Sequence, residues 1–269
     1  MKRLLAVMIA CLPVSQALAE LPAAITQKGS IVFANVPNYP PLEFRDPATG
    51  ELTGFDIELG IAVAGKLKLK PVWQETSFDQ MIAALQTGRV DAILSGMSDV
   101  ATRHDAAAFV DYLRTAPQFL IQKSRAGEFK EATALCGHKV GASRRTLFPK
   151  NIAEWSDAHC GATPIVFVGT DGSADARTQL KQGRIDAAVQ GNETLPYVIA
   201  QEPGAFQALG EPFGGSLNGI ALSLKEPGLQ QAVAGAIDAL IADGSYAKML
   251  EKWQLTPNAL EKATINAGH

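Results

Sequence analysis

The sequence has no marked excess of either charge: 24 lysine and arginine residues stand against 27 aspartate and glutamate residues, a formal net charge of −3. Nucleic-acid binders and proteins held to anionic membranes need a basic surface, so neither class is indicated. Long apolar runs are also missing. The most continuous one, Leu4 to Leu12, is far shorter than the roughly 20 residues of a membrane span, so no membrane insertion is expected. Cysteine is scarce, with three in the whole chain.

Lys2 and Arg3 precede that apolar run, and Ala17-Leu18-Ala19 stand before Glu20. This charged, apolar, small-x-small order reads as a cleaved secretory signal over residues 1–19, which makes the mature chain a soluble periplasmic protein. Cys11 raises a lipid-anchor alternative, but leucine is missing three residues before it. Cys136 and Cys160 remain, and an even count in an exported protein is read as a disulfide. Closing a loop of that size stabilises a fold by about 3 to 4 kcal/mol in the chain-entropy picture. His138 and His159 flank the two cysteines, so a four-ligand zinc site is the alternative. An oxidising compartment and a spacing unlike common zinc motifs argue against it, and no metal or cofactor is expected.

Short apolar strands alternate with amphipathic helices along the chain. Examples are Ile31 to Ala34, then Gly54 to Lys66, Lys70 to Trp73, Phe78 to Gln86 and Asp91 to Leu94. That is an α/β pattern. Ala84-Leu85-Gln86-Thr87-Gly88-Arg89-Val90-Asp91-Ala92 is echoed by Gln179-Leu180-Lys181-Gln182-Gly183-Arg184-Ile185-Asp186-Ala187. In both, glycine closes a helix where a left-handed residue is wanted. The repeat predicts two similar lobes: residues 26–116 with 212–258, and residues 120–210, leaving 259–269 as a C-terminal tail. Connectors are expected around Arg114 to Gln122 and near Leu209 to Pro212. Each repeat ends in small residues, Ser95-Gly96-Met97-Ser98 and Gln190-Gly191-Asn192, at the strand ends where α/β sheets bind anionic ligands.

Tyr39 to Phe44, Gly54 to Leu59, Ser77-Phe78-Asp79, the first repeat with Ser95 to Ser98, Arg103, Val140-Gly141, Asp243 to Tyr246 and Lys252-Trp253 occur in an order and spacing that carry a resemblance. Nearly the whole mature chain resembles the bacterial extracellular solute-binding proteins of family 3, the polar amino-acid type. The resemblance implies a two-lobed type II periplasmic-binding-protein fold, each lobe a mixed sheet flanked by helices, joined by two hinge connectors. It implies a monomer that captures a small carboxylate-bearing solute by lobe closure and delivers it to an ABC permease and its ATPase, with no chemistry on the ligand. Arg103 then grips the ligand carboxylate with Ser98, beside Ser95 and Gly96. Tyr39 and Phe78 form aromatic walls, and the second lobe contributes Thr146, Gly191 and Asn192.

Two positions depart from the family pattern. Gly191 stands where amino-acid binders carry the aspartate that meets the ligand ammonium, and Arg145 stands before Thr146 where they carry glycine. Together these shift the expected ligand toward amine-less acids, such as a keto acid or dicarboxylate, unless Glu193 or Asp171 supplies the missing acid. Val36, where binders of cationic side chains carry an acid, argues mildly against lysine- or arginine-like ligands. Two alternatives on the same scaffold are a periplasmic enzyme similar to cyclohexadienyl dehydratases, with Glu193 as its acid, and a ligand sensor for a receptor kinase.

Overall fold

The computed structural model describes residues 21–269; residues 1–19, expected from sequence to be a secretory signal, and Cys11 among them, lie outside the described residues. Two open sheets organise the chain. The first runs Thr264–Ile265, Ala108–Thr115, Ser216–Leu222, Ala92–Ile93, Ser30–Asn35, Lys70–Glu75, with Ser98–Asp99 pairing Ser216–Leu222. The second runs Val166–Thr170, Lys139–Ser143, Ala187–Gly191, Pro117–Gln122, Phe206–Leu209.

Three strands of each sheet are parallel, Ser30–Asn35, Lys70–Glu75 and Ala92–Ile93 in the first and Lys139–Ser143, Val166–Thr170 and Ala187–Gly191 in the second, and the strand that arrives from the other lobe pairs antiparallel. Parallel pairs need crossovers, and the helices Phe55–Lys66, Met81–Gln86, Phe148–His159 and Ser173–Lys181 supply them. The repeated helix stops behave as their sequence demands: Gly88 and Gly183 adopt φ of 72° and 68°, where a Cβ is disfavoured.

Both faces of each sheet are covered. Phe33, Phe55, Leu59, Val63, Val233 and Ile237 bury one face of the first sheet under Phe55–Lys66 and Pro227–Ala242, and Met81, Leu85, Ile93 and Phe109 pack on the other. The second sheet has matching clusters around Phe119, Val140 and Ile152, and around Leu120, Leu180 and Val198. Full burial of one such side chain contributes about 1.5–3 kcal/mol, so each sheet carries a core of its own.

The chain crosses between sheets twice. Thr115-Ala116-Pro117 links Ala108–Thr115 to Pro117–Gln122, and residues 210–215 return from Phe206–Leu209 to Ser216–Leu222. This is the two-lobed type II arrangement. Its C-terminus is not a separate tail: Thr264–Ile265 pairs antiparallel with Ala108–Thr115 as an edge strand of the first sheet. Two residues are too short a run to show strand periodicity in a sequence.

Cys136 and Cys160 are joined in a disulfide. The neighbouring histidines turn to other partners: His159 stacks on Trp155 at 4.5 Å between ring centroids, and His138 meets Phe129 edge-on at 5.1 Å. Among the described residues, no helix is long and apolar enough to cross a membrane.

Candidate functional site

Between the lobes lies a cleft of about 700 Å³, lined from the first lobe by Tyr39, Phe78, Ser95, Gly96, Ser98, Thr115 and Arg103 and from the second by Arg145, Thr146, Ser173 and Glu193. The carboxyl ends of both sets of parallel strands feed it, as α/β ligand sites require.

Arg103 ends the short turn Ala101–Arg103, directly after the strand Ser98–Asp99. Its Nη1 donates to the Ser98 carbonyl at 2.7 Å, and its guanidinium carbon lies 6.0 Å from the centre of the Phe78 ring. Among the described residues it makes no ion pair. Burial lowers its pKa from the usual arginine value, opposed by the charge of Asp99. A half-buried guanidinium with one neutral acceptor has donors to spare for a carboxylate.

The Ser95-Gly96 turn beside it is held from behind by two buried carboxyls. Ser95 Oγ donates to Glu43 Oε1 at 2.8 Å, while the Gly96 amide and Tyr112 Oη each donate to Asp56 Oδ2 at 2.9 Å. Glu43 Oε2 and Asp56 Oδ1 are buried without a hydrogen-bond partner among the described residues. Burial, with the Asp56 charge next, holds Glu43 well above the usual carboxylate range, and burial pushes Asp56 up to about 6. Two adjacent buried carboxyls cannot both ionise cheaply, so the pair keeps a proton between them.

Glu193, on the turn Asn192–Thr194, is 2% exposed. Tyr39 Oη donates to its Oε1 at 3.0 Å and Thr115 Oγ1 to its Oε2 at 2.6 Å. The Gly191 amide in turn donates to Tyr39 Oη at 3.0 Å. Burial pushes the Glu193 carboxyl up to about 7 against these hydrogen bonds, which favour its ionised form. Burial, then the charge of Glu193, likewise raises Tyr39 well above the ordinary phenol value, so the phenol stays a donor.

Two consequences drawn from sequence change here. Gly191 does not leave the second lobe without an acid. A Cβ added at 191 would lie 2.0 Å from Glu193 Oε1, so the glutamate carboxyl already fills the space that a side chain at 191 would take. Arg145 does not face the ligand unopposed either, because its Nη1 donates to Asp79 Oδ1 at 3.2 Å across the cleft. Asp171, the other candidate acid, is paired with Arg144 at 2.8 Å.

Thr146 lies in the wall, with Oγ1 donating to the Ser143 carbonyl at 2.8 Å and accepting from the Phe148 amide at 3.2 Å. Gly191 and Asn192 sit behind the wall instead of in it. The Asn192 amide donates to the Ala116 carbonyl at 2.8 Å, and the Ala116 amide to Asn192 Oδ1 at 2.9 Å, so Asn192 fastens the first connector to the second lobe. Glu43, Thr115 and His269 also reach the cleft. Glu43 belongs to the motif that carries the resemblance, which is the one available signal for it. Thr115 and His269 stand in no motif, and their places depend on long-range packing.

A profile of the bacterial extracellular solute-binding proteins, family 3, matches residues 31–256. The chain is 28% identical to the arginine-binding protein ArgT of Corynebacterium glutamicum, over 94% of this chain and 84% of the relative. It is also 28% identical to the histidine-binding periplasmic protein of Escherichia coli K12, over 94% and 97%. Among solved structures, an ancestral arginine-binding protein bound to arginine superposes with a TM-score of 0.75 at 29% identity, covering 84% of this chain and 98% of the other.

Proposed function

Because the chain belongs to the bacterial extracellular solute-binding proteins, family 3, we propose that it captures a small α-amino acid in the periplasm and presents it, in a closed form, to an ABC permease and its ATPase. It does no chemistry on the ligand, in keeping with relatives that are named as binding proteins.

One observation carries the ligand class: a guanidinium without an ion-pair partner among the described residues, on the first lobe, and a buried carboxyl on the second line the same cleft. Those are the two ends an α-amino acid needs. Arg103 with Ser98 takes the α-carboxylate through charge-assisted hydrogen bonds. Glu193, standing in for an aspartate at 191, takes the α-ammonium, and the positive charge draws its proton off. Tyr39 and Phe78 flank the side chain, in the usual construction of apolar walls around a few convergent polar groups.

Closure follows from the same residues. Tyr39 meets Glu193 and Asp79 meets Arg145 across the cleft, so ligand docked on the first lobe is enclosed as the second swings in on the two connectors. An amine-less acid is the second reading, supported by the raised pKa of Glu193: a protonated carboxyl could donate to a keto or hydroxyl oxygen.

A thermal-shift screen of ligand-stripped protein against L-amino acids and their keto-acid, hydroxy-acid and dicarboxylate counterparts tests the proposal. A ligand at a thousand times its Kd stabilises by about 4 kcal/mol, worth about 2 to 4 °C per kcal/mol. Shifts with α-amino acids are expected; shifts confined to amine-less acids would replace the first reading with the second.

A further inference from the structure

The last residues of the chain reach the ligand cleft by an elaborate route. Leu260 N–H donates to Tyr246 Oη at 3.1 Å and Ala263 N–H to Asp238 Oδ1 at 2.7 Å, after which Thr264–Ile265 joins the first sheet. Asn266, in a left-handed conformation with φ 53°, then brackets Phe109: its amide donates to the Phe109 carbonyl at 2.9 Å, and its Oδ1 accepts from the Phe109 amide at 2.8 Å.

Two fully buried carboxyls receive the final turn. Thr264 Oγ1 donates to Asp111 Oδ2 at 2.6 Å, and the Gly268 amide donates to Asp99 Oδ2 at 2.7 Å. The fit at Gly268 leaves no room, since an added Cβ would lie 2.1 Å from the Asp99 carbonyl oxygen. Asp99 directly follows Ser98, the residue whose carbonyl holds Arg103. The anchoring therefore delivers His269 to the cleft wall on the carboxylate-gripping side, where it is exposed to the cavity.

A tail that served only to cover a sheet edge could end at Ile265. Asn266 to Gly268 instead spend four directed hydrogen bonds on Phe109, Asp99 and Asp111, and their result is the placement of His269 at the cleft wall. We propose that residues 264–269 form a fixed wall of the ligand cleft and that His269 is a specificity-determining contact for the ligand. An imidazole there adds a hydrogen-bonding group and a flat face beside the Arg103 subsite, and so favours ligands with a polar group near the carboxylate end. This rests on the solute-binding reading above, but not on whether the ligand carries an amine.

The test uses the full chain, His269→Ala and Gly268→Val. Amide hydrogen exchange is followed on the unliganded proteins, and Kd is measured by calorimetry for every member of the amino-acid and amine-less-acid panel that binds wild type. Slow exchange at the Ala267 and Gly268 amides is expected in wild type, and faster exchange in Gly268→Val. His269→Ala should keep the Tm within about 2 °C and change the Kd of the best ligand by about five-fold or more, the size of one lost hydrogen bond or packed contact, with an altered rank order across the panel. Fast exchange at Gly268 in wild type, or Kd values within two-fold of wild type in both variants, overturns the inference. If no panel member binds wild type, the amino-acid reading and its amine-less rival both fail. The wall is then judged on exchange alone, slow exchange upholding it and fast exchange overturning it.

Discussion

The carboxyl of Glu193 stands where a side chain at Gly191 would have to be, 2.0 Å and 2.3 Å from Oε1 and Oε2 to a Cβ built on the glycine. The two positions are therefore alternatives: an acid at 191 excludes a glutamate in this rotamer at 193. Gly191→Asp alone is expected to destabilise the unliganded fold by about 1–3 kcal/mol, as overpacked sites do, and to weaken binding. Adding Glu193→Ala should recover most of both losses. Denaturant melts and calorimetry on the single and double variants check this; additive losses would mean that the two residues do not share one space.

Arg103 is the position where fold and function separate most cleanly. Its only acceptor among the described residues is the Ser98 carbonyl, so Arg103→Met should leave the unliganded Tm nearly unchanged. Binding should weaken by about 30-fold or more, since truncating one partner of a buried charged pair costs about 2–5 kcal/mol. Parallel melts and titrations measure the two effects.

Arg145 is expected to matter little to ligand choice. Its pair with Asp79 is exposed, and exposed pairs contribute about 0–1 kcal/mol, less at high salt. Arg145→Ala and Asp79→Ala should each change Kd by less than about five-fold, with the rank order of ligands preserved. A switch of preference in Arg145→Ala, read from the same ligand panel, would return Arg145 to the ligand.

The Cys136 to Cys160 link closes a loop with a sequence separation of 24. Replacing both cysteines by serine should cost about 3 kcal/mol of stability in the chain-entropy picture, while Kd at 25 °C stays within two-fold. A urea series compares the variant with wild type.

Much of this could be read from residues near one another in sequence. The Gly88 and Gly183 helix stops gave away the repeat because a left-handed cap is a local demand, and the alternation of strands and helices followed from periodicity. Arg103, Ser98, Tyr39 and Phe78 were legible through motif spacing, and all four line the cleft. What sequence concealed was set by contacts across the fold. The Glu193 carboxyl reaches back over Gly191 to Tyr39, 154 positions away, and no gapless alignment can show a side chain filling another position's space. Arg145 looked free because Asp79 lies on the other lobe. The end of the chain looked like a tail because its pairing partner, Ala108–Thr115, is distant in sequence.

Acidic pH bears on both stability and binding. Burial raises Glu193 and Asp111 to about 7 and Asp56 to about 6. A raised carboxyl favours the folded state while protonated, so its contribution is fully present below the ordinary carboxylate range and is lost as pH rises through 6 to 7. The unliganded protein should melt higher at pH 5 than at pH 8.

The affinity for an amine-bearing ligand should run the opposite way, because an ammonium needs Glu193 ionised. The most direct test is therefore the Kd of the best α-amino acid ligand from pH 5.5 to 8.5, with proton release read by calorimetry in two buffers of different ionisation enthalpy. Tightening by up to about tenfold per pH unit below 7, levelling above it, with release of up to one proton that Glu193→Gln abolishes, is the expected result. Affinity that is flat, or that strengthens toward low pH, would contradict an ammonium docked on Glu193.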